Sequence, residues 1–339
     1  MSTSIPVPAT DAVALTAHIR TVPRQLVHRC AVSEVFLTSL LTAPDGGCGR
    51  RGPGTPAADF VVGAQLPRMH GYYGDHQGGQ AGLIDPLLAM ETGRQAAIAI
   101  THEFLDVDLD SAFLVRTFNG TGHPGPAWEA GELPADLEIA VQVVRRHTVD
   151  GRLRGLDLGL ELTRDGRPLM TVDGSFSWMS PRRWRAMRSA IRAGTEVGAA
   201  VVGDRALPAM VARELPRNVV IGPPQSDGAG TRADLVVDVA HPGLFDHTLD
   251  HVPGSLMLEA CRQLAVSHAG PRARVISVHS TFDTFVEIDR PAVCLLTDLA
   301  PDGSAVEVTV EQGGVRAARV RLDLVVGHRG DGPGTGTEG

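Results

Sequence analysis

The chain carries the same pattern twice. Asp75-His76, a short irregular stretch and Glu91-Thr92-Gly93-Arg94-Gln95 return as Asp246-His247, another short stretch and Glu259-Ala260-Cys261-Arg262-Gln263. Glu, Arg and Gln recur 168 residues apart (91 and 259, 94 and 262, 95 and 263). Asp-His recurs at 171 (75 and 246), so the intervening loop is three residues shorter in the second copy. The flanks repeat as well, with Asp59-Phe60-Val61-Val62 before the first Asp-His and Asp234-Leu235-Val236-Val237 before the second. Such an interval within 339 residues predicts two copies of one domain fused head to tail.

Each copy centres on one helix. Asp85-Pro86 supplies an N-cap and a proline at the first helical position. Leu87, Leu88, Met90, Gly93, Ala96, Ala97 and Ile100 then leave little polar face, and residues 255–268 have the same character. Both helices should therefore be mostly buried. Strand-like runs follow, at 137–146, 155–163 and 169–178 in the first half and at 278–286, 293–299, 305–311 and 317–326 in the second. Asp150-Gly151, Asp165-Gly166, Asp302-Gly303 and Gly313-Gly314 supply turns between them. A buried helix wrapped by antiparallel strands is the hot-dog arrangement. The expected fold is an α+β tandem (double) hot-dog whose halves pair as a pseudo-dimer within one chain. We expect an N-terminal domain at 20–179, a linker helix region at 180–205, a C-terminal domain at 206–327 and a disordered tail at 328–339. The Gly- and Pro-rich stretch 43–58 reads as a surface loop.

Composition removes several function classes. Apolar residues make up 43% of the chain, enough for real cores, although 4% aromatics leaves most packing to aliphatic side chains. A formal charge of -8 argues against a nucleic-acid partner. No stretch approaches the ~18 apolar residues of a membrane span, and the first ten residues carry no basic segment followed by an apolar one. A cytoplasmic protein is expected. Cys30, Cys48, Cys261 and Cys294 have no metal-binding spacing, so free thiols and no metal are expected.

A buried carboxylate is costly unless paired. Glu91 and Glu259 sit in apolar helices, each with an arginine three residues on, so Glu91–Arg94 and Glu259–Arg262 share a helix face. A structural ion pair would explain either copy alone. The upstream Asp-His adds a second possibility. In a hot-dog pair the loop before one helix faces the helix of the other copy, which directs His247 toward Glu91 and His76 toward Glu259. A histidine and a carboxylate across an apolar tunnel form an acid/base pair. Free N–H groups at a helix start can polarise a thioester carbonyl. Pro86 has no N–H, so the Pro253-Gly254 turn is the better oxyanion candidate. Both tyrosines of the chain, Tyr72 and Tyr73, lie beside the first motif.

These motifs, together with His28-Arg29-Cys30-Ala31-Val32-Ser33-Glu34-Val35-Phe36-Leu37 and Asp246-His247-Thr248-Leu249-Asp250-His251-Val252-Pro253-Gly254, resemble the A-factor biosynthesis (AfsA-type) family of actinomycetes over most of the chain. The resemblance implies an acyltransferase without metal or redox cofactor. Such an enzyme moves a β-ketoacyl group from an acyl carrier protein, or coenzyme A, to a hydroxyl of dihydroxyacetone phosphate on the way to γ-butyrolactone-type signals. It further implies Glu259 or Glu91 as a base whose pKa a dry pocket raises, with His247 and His76 orienting it or relaying the proton. Arg262 or Arg94 would hold the phosphate. Gly254, through its helix-start N–H, and Tyr73, through its place beside the first motif, are the other candidate substrate contacts.

Two other classes fit the pattern less well. A β-hydroxyacyl or enoyl thioester dehydratase or hydratase needs His and carboxylate but has no use for the repeated arginine, and a thioesterase would put water in place of the alcohol. A non-enzymatic acyl-binding protein would use only the tunnel. The run Arg182, Arg183, Arg185, Arg188 and Arg192 after Ser180 is either a solvated helix face or a docking site for an acidic carrier.

Overall fold

The computed structural model describes residues 18–43, 58–227 and 230–326. The expected tail and nearly all of the expected 43–58 loop, with Cys48, lie outside them. The N-terminal half contains β1 (Leu37–Thr42), β2 (Phe60–Leu66), α1 (Pro86–Phe104), β3 (Ala112–Gly122), β4 (Ala135–Val149), β5 (Arg152–Arg164) and β6 (Arg167–Met179). Helix α2 (Pro181–Ile191) leads to the C-terminal half, with β7 (Gln225–Asp227), β8 (Gly230–Asp234), α3 (Gly254–Ala269), β9 (Ala273–Phe282), β10 (Val293–Leu299), β11 (Ala305–Gln312) and β12 (Val315–Val326).

Among the described residues these strands form one antiparallel sheet in the order β1-β2-β4-β5-β6-β3-β9-β12-β11-β10-β8-β7. The two halves meet at β3 and β9, where Thr117 pairs with Thr281 and Thr121 with Ser277. Each half wraps its strands around its own helix, giving the tandem hot-dog expected from the repeat. Helix α1 starts where Asp85 Oδ1 accepts the Leu87 N–H at 2.8 Å and Pro86 fixes the first turn. Its side chains Leu87, Leu88, Ala89, Met90, Ala96, Ala99 and Ile100 are buried, as are Leu256, Met257, Leu258, Ala260, Leu264 and Ala265 of α3. The helices are apolar nearly all round because the sheet closes over them.

The linker corrects one expectation. Ser180 precedes α2 but makes no side-chain cap, and Arg188 and Arg192 turn inward. Arg188 donates to Asp250 at 2.9 Å and to both Glu287 oxygens, and Arg192 pairs with Glu287 and Asp289. Three buried or half-buried carboxylates draw in two guanidiniums, so only Arg182, Arg183 and Arg185 of that run are left exposed.

Candidate active site

Two pseudo-equivalent ionic clusters lie where the halves meet. In the first, Glu91 receives hydrogen bonds from Arg94 at 2.7 and 2.8 Å, from Arg29 at 2.6 Å and from Gln95 at 2.9 Å. In the second, Glu259 receives them from Arg213 at 2.7 and 3.1 Å, from Arg262 and from Gln263. Both glutamines also repeat a backbone pairing. Gln95 binds Glu34 C=O and Phe36 N–H, while Gln263 binds Asn218 C=O and Val220 N–H.

The arginines that complete each cluster, Arg29 and Arg213, escaped the sequence reading as site residues. Each follows a short 3-10 turn and a non-glycine residue in the left-handed region, His28 and Ala212, both at φ 53°. The signal was Val27-His28-Arg29 against Val211-Ala212-Arg213, too short to stand out alone.

The Asp of each Asp-His locks the other half's arginine turn. Asp246 accepts the N–H groups of Cys30 and Ala31, and Asp75 accepts those of Glu214 and Leu215. Neither histidine makes the expected contact with a glutamate among the described residues. His247 lines the same cavity as Glu91. His76 reaches Asp85 at 2.7 Å, and Arg262 ties Asp85 to the Glu259 cluster at 2.6 Å.

The clusters differ in access and charge. A cavity of about 1340 Å³ runs between the halves, lined by Glu91, Arg29, Arg94, His28, His247, Tyr73 and Gly254 among mostly apolar side chains. Glu259, Arg262 and His76 are absent from that lining, and Glu259 is 0% exposed. The second cluster balances Arg213 and Arg262 against Glu259 and Asp85. In the first, position 253 is proline where α1 has Asp85, so among the described residues Glu91 is the one carboxylate bonded to Arg29 and Arg94. Glu34 lies behind them, paired with His70 at 3.2 Å. Arg94 Nη1 makes no hydrogen bond among the described residues, and Arg29 Nε is buried without a partner.

The arginines around each glutamate act against the raised pKa expected of it. Burial acts to raise the Glu91 carboxyl, but Arg29 and Arg94 outweigh it and hold it well below the usual carboxylate range. Glu259 is likewise lowered, burial being outweighed by Arg213 and Arg262. A dry pocket raises a carboxyl only when no cation shares it. Two imidazoles, His28 and His247, also line the cavity. Burial, then His102 and Arg94, lowers His28 to about 4. Burial, then Arg29, holds His247 below the ordinary histidine value.

Comparison with known proteins fits this architecture. The chain matches the family described as the A-factor biosynthesis hotdog domain over residues 10–180 and 203–326. It belongs to that family. It is 35% identical over 277 residues, 80% of this chain and 85% of the relative, to a 2-oxo-3-(phosphooxy)propyl 3-oxoalkanoate synthase from Streptomyces virginiae. A protein of the same name from Streptomyces coelicolor is 32% identical over 306 residues, 89% of each chain. Among solved structures, a protein from Lactobacillus plantarum described as an oleoyl thioesterase gives a TM-score of 0.50 at 10% identity, covering 79% of this chain and 96% of its own. That likeness is one of fold alone.

In this member of the A-factor biosynthesis hotdog family, α3 also begins differently from α1. Pro253 makes no side-chain cap, and the Gly254 and Ser255 N–H groups make no hydrogen bond within the described structure. Both residues line the cavity.

Proposed function

We propose that this chain is an acyltransferase that moves a β-ketoacyl group from a carrier thioester to the hydroxyl of dihydroxyacetone phosphate. The name its relatives carry describes the product of that reaction, a 3-oxoalkanoate joined to a 2-oxo-3-(phosphooxy)propyl group. The observation that carries the proposal is the Glu91 cluster, with two guanidiniums to one directly bonded carboxylate, opening on a large apolar cavity.

In this reading the cavity takes the acyl chain, and Glu91 keeps Arg29 and Arg94 in place rather than acting as the base. His247 faces Asp246 through Nδ1 at 3.8 Å, which favours the proton on Nδ1 and leaves Nε2 to accept the hydroxyl proton. The hydroxyl oxygen bonds to the thioester carbon as the C–S bond breaks, and the proton passes on to the departing thiolate. Arg29, which lines the cavity, and the exposed Arg116 on its rim suit a phosphate. Tyr73 is buried beside this cluster. Glu259, Arg262 and His76 are assigned to holding the halves together.

The proposed donor is an acyl carrier protein. Exposed Arg182, Arg183 and Arg185 flank Trp184, which lines the cavity, and an acidic carrier would meet positive charge there. Free Cys30, Cys261 and Cys294 suit a reducing cytoplasm. Mass spectrometry of a β-ketoacyl thioester incubated with the chain, with and without dihydroxyacetone phosphate, tests the proposal. An ester that forms only with the acceptor supports it, whereas hydrolysis or dehydration at the same rate without the acceptor rejects it.

A further inference from the structure

We infer that Asp85 occupies, in the second cluster, the place that the reacting acyl group takes in the first; the inference rests on the acyl-transfer proposal. The Asp85 carboxylate has three donors. Oδ1 accepts from Leu87 N–H at 2.8 Å and from Arg262 Nη1 at 2.6 Å, and Oδ2 accepts from His76 Nε2 at 2.7 Å. The repeat carries Leu87 to Ser255, Arg262 to Arg94 and His76 to His247. All three counterparts line the cavity. The Ser255 N–H and Arg94 Nη1 are both without partners in the described structure. Where the second cluster supplies its own carboxylate, the first has Pro253, which supplies none.

A carboxylate carries one negative charge over two oxygens on one carbon. The centre formed when a hydroxyl attacks a thioester also has two oxygens on one carbon and one negative charge. Superposing the two assigns each donor a task. The former carbonyl oxygen sits between Ser255 N–H and Arg94 Nη1, where the displaced electron pair is stabilised. The attacking oxygen sits at His247 Nε2, which takes its proton, and collapse expels the thiolate that carries the proton away. Arg94 then holds the acyl oxygen rather than the acceptor's phosphate. The second cluster is closed to chemistry because Asp85 already fills it.

Substituting Pro253→Asp should close the first cluster in the same way, with Pro253→Ala as the uncharged control. The probe is acetate, titrated against the Ser255 amide resonance, with ester formation measured separately. In Pro253→Ala, acetate should shift the Ser255 amide. In Pro253→Asp the amide should already stand at the hydrogen-bonded position and acetate should move it no further, while ester formation falls about 10²–10³-fold below the control. An amide that still responds to acetate, or an ester rate equal to the control's, overturns the inference. Should Pro253→Asp fail to fold, Arg94→Gln decides. Acetate affinity at Ser255 should weaken about tenfold or more, and unchanged affinity overturns the inference. Acetate blocked in Pro253→Asp with no ester from the unmodified chain would instead reject the acyl-transfer proposal and leave the anion site standing.

Discussion

Asp246 accepts the N–H of Ala31 at 3.0 Å across the seam between the halves, and Asp75 accepts the N–H of Leu215 at 3.1 Å in the opposite direction. Each aspartate thus fixes the backbone that carries the other half's buried arginine, Arg29 or Arg213. The Asp-His pairs are fasteners through Asp, and of their two histidines His247 lines the cavity and His76 does not.

Removing the Asp246 carboxylate should release the Arg29 turn. Hydrogen bonds to a charged acceptor contribute about 1.5–3 kcal/mol each. Asp246→Ala should lower the urea midpoint and cut kcat for ester formation, and Asp246→Asn should recover part of the stability. Unchanged kcat in a folded Asp246→Ala variant would remove the positioning role.

The two helix arginines should separate stability from activity. Arg262 is 5% exposed between Glu259 and Asp85. Arg262→Ala leaves two buried carboxylates short of a partner and should cost about 3–5 kcal/mol. Arg94 has a 28% exposed side chain, and Glu91 keeps Arg29 without it. Arg94→Ala should cost far less stability while abolishing most ester formation. Thermal melts and initial rates of the two variants check this split.

Stability should fall on the acid side of neutrality because of two histidines, the buried His241 and the half-buried His28. Burial lowers His28 and His241 to about 4, whereas the unfolded chain takes up those protons near the ordinary value of about 6.5. The folded state binds fewer protons between these values. The contribution of both is therefore complete above about pH 6.5 and is lost as the pH drops toward 4. Urea midpoints measured from pH 7.5 to 4 should decline, and His28→Ala, which copies Ala212 on the same left-handed backbone, should flatten that decline.

Much of this was legible in the repeat. The Glu-x-x-Arg-Gln helices, the tandem fold and the approach of His247 to the Glu91 side all follow from two copies facing each other. Strand β3 was not legible, although it forms the seam. Its Gly120 and Gly122 serve close approach: a Cβ at Gly120 would stand 2.7 Å from Met90, and one at Gly122 would stand 2.3 Å from the Ile276 carbonyl. The repeated flank Asp234-Leu235-Val236-Val237 is also not equivalent to its partner: β8 ends at Asp234 and Leu235 makes only an isolated bridge to Ile221, whereas Phe60–Val62 lie within β2. The unequal fate of the two clusters turns on Asp85 against Pro253. That difference looks like ordinary cap variation until Arg262 is seen to reach across the halves.

Charge at the exposed end of α2 should matter only for a large donor. Reversing Arg182 and Arg185 together should raise KM for carrier-bound substrate several-fold, since electrostatic steering acts on encounter, and leave KM for a small thioester mimic unchanged. Equal effects on both donors would place the carrier elsewhere. Reversing Arg188 should instead destabilise the fold, because it is buried against Glu287 and Asp250.

The most direct test of a single reacting cluster is a crystal structure with a non-transferable β-ketoacyl thioester analogue. The account expects the analogue's acyl chain in the cavity, with its carbonyl oxygen within hydrogen-bonding distance of the Ser255 N–H and Arg94, and the Asp85–Arg262 pair undisturbed. An analogue bound beside Glu259 with Asp85 displaced, or equal occupancy of both clusters, would contradict it.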